Sequence, residues 1–271
     1  MYIRTKKKQA CFLSKVFEPR GLNSLVRLGS DHDGGYVVSA DAVASSRQLL
    51  SLGLGKNCDF EKDFAAMARL ERLACYDASI DTEALRRRYT RARLLSLFRP
   101  ERHRHFVSYY KQYRALFESG RSGFSHIRED AGTTDGLVPL AEAIDLLAPE
   151  PGKLFLKVNT GGREYDFLDQ IIEANDYLAG LVIVFHDASE RMREIEVFVD
   201  VMREFMTIDN TTADNTAGLS GVGIPNVVEM SFSAKFAAEP HIPIAGASTR
   251  YQVLSAPNDP ALTEYEIFYV E

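Results

Sequence analysis

The sequence has no apolar run approaching the ~18 residues that span a bilayer, so it predicts no membrane helix. It has no paired cysteines: Cys11, Cys58 and Cys75 are scattered. That pattern supports neither a disulfide framework nor a zinc site, so no metal is read from it, and a reducing, cytoplasmic location fits best. Excess positive charge is missing too. The net charge is −6, which argues against a general nucleic-acid binder. The basic start, Met1-Tyr2-Ile3-Arg4-Thr5-Lys6-Lys7-Lys8, is followed by no long apolar stretch, so no secretory signal is expected. Repeats, low-complexity tracts and Pro/Gly/Ser linkers are absent. The 271 residues, 45% hydrophobic, are therefore read as one α/β domain with a full core.

What is present is an alternation of apolar runs and amphipathic stretches. Residues 20–40 predict a short β element, with Leu25-Val26-Arg27-Leu28 and Tyr36-Val37-Val38 flanking the turn Asp33-Gly34-Gly35. Strands are expected at 48–53, 73–76, 124–128, 153–158, 181–186, 204–209 and 226–232. Helices are expected at 60–72, 83–97, 101–118, 138–147, 163–175 and 189–203. This order predicts a doubly wound, mostly parallel sheet covered on both faces. The polar stretch 209–223 reads as a long loop of the kind that often carries function.

Three strand ends carry candidate chemistry. The first is Ser51-Leu52-Gly53-Leu54-Gly55, ahead of Phe60-Glu61 at a helix start. Glycines let a backbone approach a ligand closely. Asp77 follows the next strand, 24 residues after Gly53, near the spacing at which a carboxylate holds a ribose diol. Position 58, where a dinucleotide fingerprint has its third glycine, is Cys58, and no Gly-Lys-Ser/Thr phosphate loop is present. A nucleoside cofactor without phosphates therefore fits better than NAD. The plain alternative is a strand–helix turn, and Asp77 tips the balance toward a cofactor. The second end is Lys157-Val158-Asn159-Thr160-Gly161-Gly162. Lys157 and Asn159 would face the same cleft, although Asn159 and Thr160 also suit a helix cap. The third is Phe185-His186-Asp187. His186 is either a general base near neutral pH or a hydrogen-bonded structural histidine, and Asp187 either orients it or caps the next helix.

The order of these motifs resembles the FkbM-type methyltransferases. The match is carried by Val26-Arg27-Leu28-Gly29, Asp33-Gly34-Gly35-Tyr36, the glycine turn with Phe60-Glu61, Tyr76-Asp77, Phe155-Leu156-Lys157 with Gly162 and Glu164-Tyr165, and Pro225-Asn226-Val227-Val228-Glu229-Met230. It runs from about residue 20 to about 235. The resemblance implies a Rossmann-like class I methyltransferase fold of seven strands with the last one antiparallel. It also implies S-adenosylmethionine (SAM) as cofactor, and a hydroxyl of a saccharide or glycoconjugate as acceptor. Ser51, Gly53, Gly55, Phe60, Glu61, Asp77 and Asn159 would then hold SAM, while Lys157, Asn159, His186 and Asp209 would face the acceptor. Two departures stand out. The family's Lys-x-Asp-x-Glu-Gly reads Lys157-Val158-Asn159-Thr160-Gly161-Gly162 here, so both carboxylates are missing, and the His-x-Asn-Asn pattern has become Asp209-Asn210-Thr211-Thr212. Asn159 accepts a hydrogen bond but cannot take a proton. A silent SAM-binding sensor or scaffold is therefore the rival to an enzyme, with an NAD-dependent oxidoreductase third.

Residues 81–115 break the charge pattern with ten Lys/Arg against three acids. The segment, extending to about 118, reads as an inserted helical pair. Its arginines form a solvated or self-associating face, or they grip an anionic acceptor or a membrane surface. Phe98, Phe106, Tyr109, Tyr110 and Tyr113 are expected mainly to pack the insert onto the domain. Nucleic acid is not the expected partner.

Overall fold

Strands buried on both faces need apolar side chains at every position, and that is how the centre of this sheet is built. The computed structural model describes residues 8–20, 24–55, 57–95, 100–132, 136–235, 254 and 256–271. The chain enters through β1 (Gln9–Ser14) and the hairpin of β2 (Leu25–Gly29) and β3 (Gly35–Ser39), then α1 (Ala40–Ser45). The first half of the main sheet follows as β4 (Gln48–Leu52), α2 (Asp59–Met67), β5 (Arg72–Tyr76), the insert helices α3 (Thr82–Leu95) and α4 (Pro100–Phe117), and β6 (Phe124–Ile127). The second half is α5 (Leu140–Leu147), β7 (Leu154–Val158), α6 (Leu168–Glu173), β8 (Leu178–Phe185), α7 (Ala188–Phe205), β9 (Met206–Ala213) and β10 (Val228–Ala234), with β11 (Tyr265–Val270) closing the chain.

The main sheet has the order β6-β5-β4-β7-β8-β10-β9. Pairings from β6 to β8 are parallel, and β10 runs antiparallel to both β8 and β9. This is the strand order and the single reversed strand of the Rossmann-like methyltransferase fold expected from the sequence. Alternation along each strand splits the core into two layers. Leu50, Leu52, Leu156, Ile183 and Phe185 pack with α5, α6 and α7 on one face. Leu49, Leu73, Phe155, Val182 and Val184 pack with α1, α2 and α4 on the other.

All seven sheet strands lie where the alternation put them, with three differences around them. Residues 210–213, expected only as loop, extend β9 beyond the expected strand end at 209, so that its last residue Ala213 pairs with Val228. Polar residues hold the strand because each finds a partner: Thr211 Oγ1 donates to the Phe17 carbonyl (2.8 Å) and Asn210 Nδ2 to Thr212 Oγ1 (2.8 Å). The expected helix 163–175 is a 3₁₀ turn over Glu164–Phe167 followed by α6. Finally, β1 and β11 form a parallel ribbon, Gln9 opposite Tyr265, to which no sequence pattern pointed. The insert is the expected helical pair. Tyr110 and Tyr113 are buried in the core layer with Phe124, as expected of packing rings, whereas Phe98 lies outside the described residues. Among the described residues no helix is long and apolar enough to cross a membrane.

Candidate functional site

The sheet changes direction of growth between β4 and β7, and ligands of open α/β sheets bind outside the carboxyl ends of the strands at such a point. There the two strands come into close contact. A methyl group on Gly53 would lie 1.9 Å from the Asn159 carbonyl oxygen, and Gly53 has φ +84°, so only glycine fits. Gly55, at φ +65°, has open space where its side chain would be. Its N–H donates to Asp77 Oδ2 at 2.7 Å. Asp77 Oδ1 accepts from the Ser79 N–H (2.9 Å) and Ser79 Oγ (2.5 Å). The turns after β4 and β5 are thereby locked together around one nearly buried carboxylate. They line a cleft of about 510 Å³ with Asp33, Tyr36, Lys157 and Asn159.

The predicted cofactor residues divide into two groups. Gly53, Gly55, Asp77 and Asn159 line the cleft. Ser51, Phe60 and Glu61 do not; all three are essentially fully buried. Ser51 Oγ donates to Glu61 Oε1 (2.7 Å), and Lys157 Nζ donates to the same oxygen (2.7 Å) and to the Gly53 carbonyl (3.1 Å). This buried pin fixes the glycine turn from beneath, because the strand alternation points Ser51 inward and the first turn of α2 brings Glu61 over it. Burial disfavours the Lys157 ammonium, but the Glu61 carboxylate more than offsets this and holds its pKa above the usual lysine value. Phe60 packs edge-on against Tyr36, ring centroids 5.3 Å apart.

The predicted acceptor residues scatter further. Asn159 Nδ2 donates to the Tyr36 hydroxyl at 2.9 Å. Burial pushes that hydroxyl up to about 12, so it stays neutral. His186 is not among the residues lining the cleft. Its Nδ1 lies 3.1 Å from Glu164 Oε1, which also accepts the His186 backbone N–H. Burial opposes an imidazolium, but the hydrogen bond and charge of Glu164 outweigh it and raise the His186 pKa. A histidine held toward its charged form is a poorer proton acceptor at neutral pH. Asp187 sits at the cap position of α7 in the left-handed region (φ +50°), with no side-chain cap bond. Asp209 is fully buried in mid-strand, where it accepts from Ser233 Oγ at 2.9 Å. Because β9 runs four residues past Asp209, to Ala213, its side chain lies inside the sheet rather than at the cleft edge.

Two carboxylates escaped the sequence-based choice of site residues. Glu164 is fully buried and also accepts from Thr160 Oγ1 (3.2 Å) and the Gly162 N–H (2.9 Å), shaping the loop after β7. Glu229 stands on β10 opposite Val184, one pair back from the strand edge, and accepts from Asn258 Nδ2 at 3.1 Å. Burial pushes its carboxyl up to about 7; Asp214 and Asp33 add to this, while the Asn258 bond and Arg27 oppose it. An acid inside the apolar run Val227-Val228-Glu229-Met230 was the available signal. Among the described residues no group of three or more His, Cys, Asp or Glu is arranged to hold a metal.

A second cavity, about 710 Å³, shares Gly55 and Ser79 with the cleft and is walled by Ile80, Leu85, Phe106 and Tyr109. Tyr109 OH donates to the Gly55 carbonyl at 3.2 Å, so the insert is fastened directly to the glycine turn.

Sheet order, reversed β10, glycine turn and following carboxylate together define a Rossmann-like methyltransferase fold with a nucleoside-sized cleft at its switch point. Neither a protein-family model nor a curated protein sequence matches the chain. Among solved structures, it is similar to the 23S rRNA methyltransferase ErmE, with 14% identity over 79% of this chain and 74% of that one and a TM-score of 0.38. The fibrillarin pre-rRNA processing protein of Methanococcus jannaschii matches at 9% identity, covering 82% and 85%, with a TM-score of 0.38. A precorrin-6y C5,15-methyltransferase from Geobacter metallireducens matches at 10%, covering 72% and 87%, with a TM-score of 0.35. The fold assignment rests on strand order and direction, not on likenesses this distant.

Proposed function

We propose that the protein is a SAM-dependent methyltransferase whose acceptor is a hydroxyl on a saccharide or glycoconjugate. The observation that carries the cofactor is the charge balance of the cleft. Lys157 is neutralised by Glu61 at 2.7 Å and Arg163 by Asp130 at 2.8 Å, which leaves Asp33 and Asp77 as the uncompensated charges on the wall. Such a cleft suits a cation. At the start of α2, where a pyrophosphate would sit, Asn57 Oδ1 already accepts the Asp59 N–H (2.7 Å), and Lys62 is taken by Asp59 and Asp63 at 3.3 Å each. A pyrophosphate would find that helix start already engaged, whereas a sulfonium nucleoside does not call on it.

In this reading Asp77 takes the ribose hydroxyls, the insert cavity takes the base, and the methionyl end lies toward Gly53 and Asn159. SAM supplies an electrophilic methyl group. The chain supplies position, through the Asn159–Tyr36 pair, and a proton acceptor. Glu229, with a pKa of about 7, is the candidate base in place of His186 and Asp209; like His186 it stands outside the cleft lining, one pair back from the end of β10, so a base role needs the acceptor to reach the β10 side. The saccharide acceptor rests on the sequence resemblance.

Calorimetric titration with SAM, its demethylated product and NAD tests the cofactor. Micromolar binding of the first two and none of NAD is expected. Asp77→Asn should weaken SAM by roughly tenfold to a hundredfold, the worth of a charged hydrogen bond. A preference for NAD would overturn the reading. A silent binding protein is the second reading. It is favoured by Asn159, which cannot take a proton and whose amide is committed to Tyr36. Transfer of labelled methyl from SAM in an acceptor screen separates the two.

A further inference from the structure

We infer that the outer face of α3 docks the protein on an anionic membrane surface. The inference does not rest on the methyltransferase reading. Helix α3, Thr82–Leu95, carries five arginines (Arg86, Arg87, Arg88, Arg91 and Arg93) against one acid, Glu83. It buries only Ala92 fully, with Leu85 and Tyr89 partly covered against the rest of the insert. The remaining faces are exposed. Arg87 and Arg91 are one turn apart on the outward side, and the next turn brings Leu94 and Leu95 out of the protein, 67% and 44% exposed. Among the described residues none calls for two adjacent leucines in water at the end of a helix this basic.

The combination selects the partner. Arginines alone suit any polyanion, because the guanidinium pairs with phosphate wherever phosphate is found. Exposed leucines do not help on a nucleic-acid backbone. They do help at a bilayer, where guanidinium groups meet headgroup phosphates while apolar side chains enter the acyl boundary. The local ion pair leaves Arg87 available: it reaches Glu83 only at 3.5 Å with both side chains exposed, a contact worth little in water. Arg86 and Arg114 share Glu118 on the inner side, which braces the two helices. Arg88 does not belong to the outward set: its guanidinium lies over the Phe106 ring, 4.3 Å from the centroid, and lines the cavity next to Gly55.

The test is co-sedimentation of the full chain with vesicles of POPC alone and of POPC with a quarter POPG, alongside anisotropy with a labelled single-stranded RNA oligonucleotide. Binding to the POPG vesicles, falling with added salt, is expected. Arg87→Glu with Arg91→Glu should weaken it on the order of thirtyfold or more, given the usual worth of a basic residue at an anionic surface. Leu94→Ser with Leu95→Ser should weaken it roughly tenfold while leaving the charge unchanged. All four positions are exposed, so thermal melts of both variants should match the parent. No sedimentation with POPG vesicles overturns the inference. So does binding that the leucine variant leaves intact, or RNA binding as tight as vesicle binding, either of which makes the face a plain polyelectrolyte surface.

Discussion

Around β4 and β5 the cleft is made of backbone: two glycines at positive φ, a strand contact that excludes any side chain at Gly53, and one carboxylate tied to a main-chain N–H. On the β7, β8 and β10 side, side-chain partnerships take over: Asn159 holds Tyr36 on the cleft wall, while Glu164 holds His186 and Asn258 holds Glu229 outside its lining. The first half is fixed by the fold and the second by individual side-chain partnerships. Substitutions should therefore act on the first half mainly through stability and on the second through protonation and chemistry.

The contrast is sharpest at Gly53. Gly53→Ala puts a methyl group 1.9 Å from the Asn159 carbonyl at φ +84°, so β4 and β7 must separate. A loss of about 3–5 kcal/mol is expected by chemical denaturation. Gly55→Ala, two residues on, meets open space and should cost only about 1–2 kcal/mol, the strain of the left-handed region. Similar losses at both positions would mean that the strand contact does not set the turn.

The pin beneath the turn comes next. Lys157→Met leaves the Glu61 carboxylate buried without its cation, and breaking such a pair costs about 3–5 kcal/mol. Glu61→Gln added to Lys157→Met should restore much of the loss, because no isolated charge remains. A double variant no better than the single one would show that the turn needs the Lys157 bond to the Gly53 carbonyl itself.

On the other half, Glu229→Gln should lower methyl transfer by about 10²–10⁴-fold, the usual worth of a positioned base, while SAM affinity holds. The acidic limb of the parent's rate profile, near the pKa of about 7, should disappear with it. Stability should move the other way. A carboxyl whose folded pKa lies above its unfolded value favours folding while protonated, and that contribution is lost as pH rises through about 7. Glu229→Gln should therefore be more stable than the parent above that pH. Unchanged turnover would return the proton to another group.

The same division explains what the sequence made legible. Strand candidates followed from apolar runs, and the glycine turn with Asp77 followed from spacing, because backbone-built features need particular residues at fixed separations. Side-chain partnerships have no such spacing. Glu164 and His186 are 22 residues apart, and Glu229 and Asn258 are 29 apart. Asp209 was assigned to the cleft because polar residues after Ile208 read as a loop, whereas hydrogen bonds to Phe17 and Ser233 keep that stretch in the sheet. Ser51 and Glu61 were found but given ligand roles. Their type and spacing suit a ligand as well as a buried pin, and only the inward direction of Ser51 on β4 decides. The β1–β11 ribbon joins residues more than 250 apart in sequence, and no local pattern reports that.

The smallest expected effect is at His186, and it separates a positioning role from a catalytic one. His186 gains its charge-favouring partner only on folding, so its pKa is raised. The stabilisation is then fully present below the unfolded histidine value near 6.5 and is lost as pH rises through the folded value. Its side chain is 29% exposed, which places the contribution at about 1 kcal/mol rather than the several of a fully buried pair. His186→Asn should therefore lower the melting temperature by a few degrees in mild acid and by less in alkali. Methyl transfer at neutral pH should fall by less than about tenfold, through the loop that Glu164 shapes. A loss on the scale of Glu229→Gln, with melting unchanged, would make His186 the base and place the acceptor on the β8 side of the cleft.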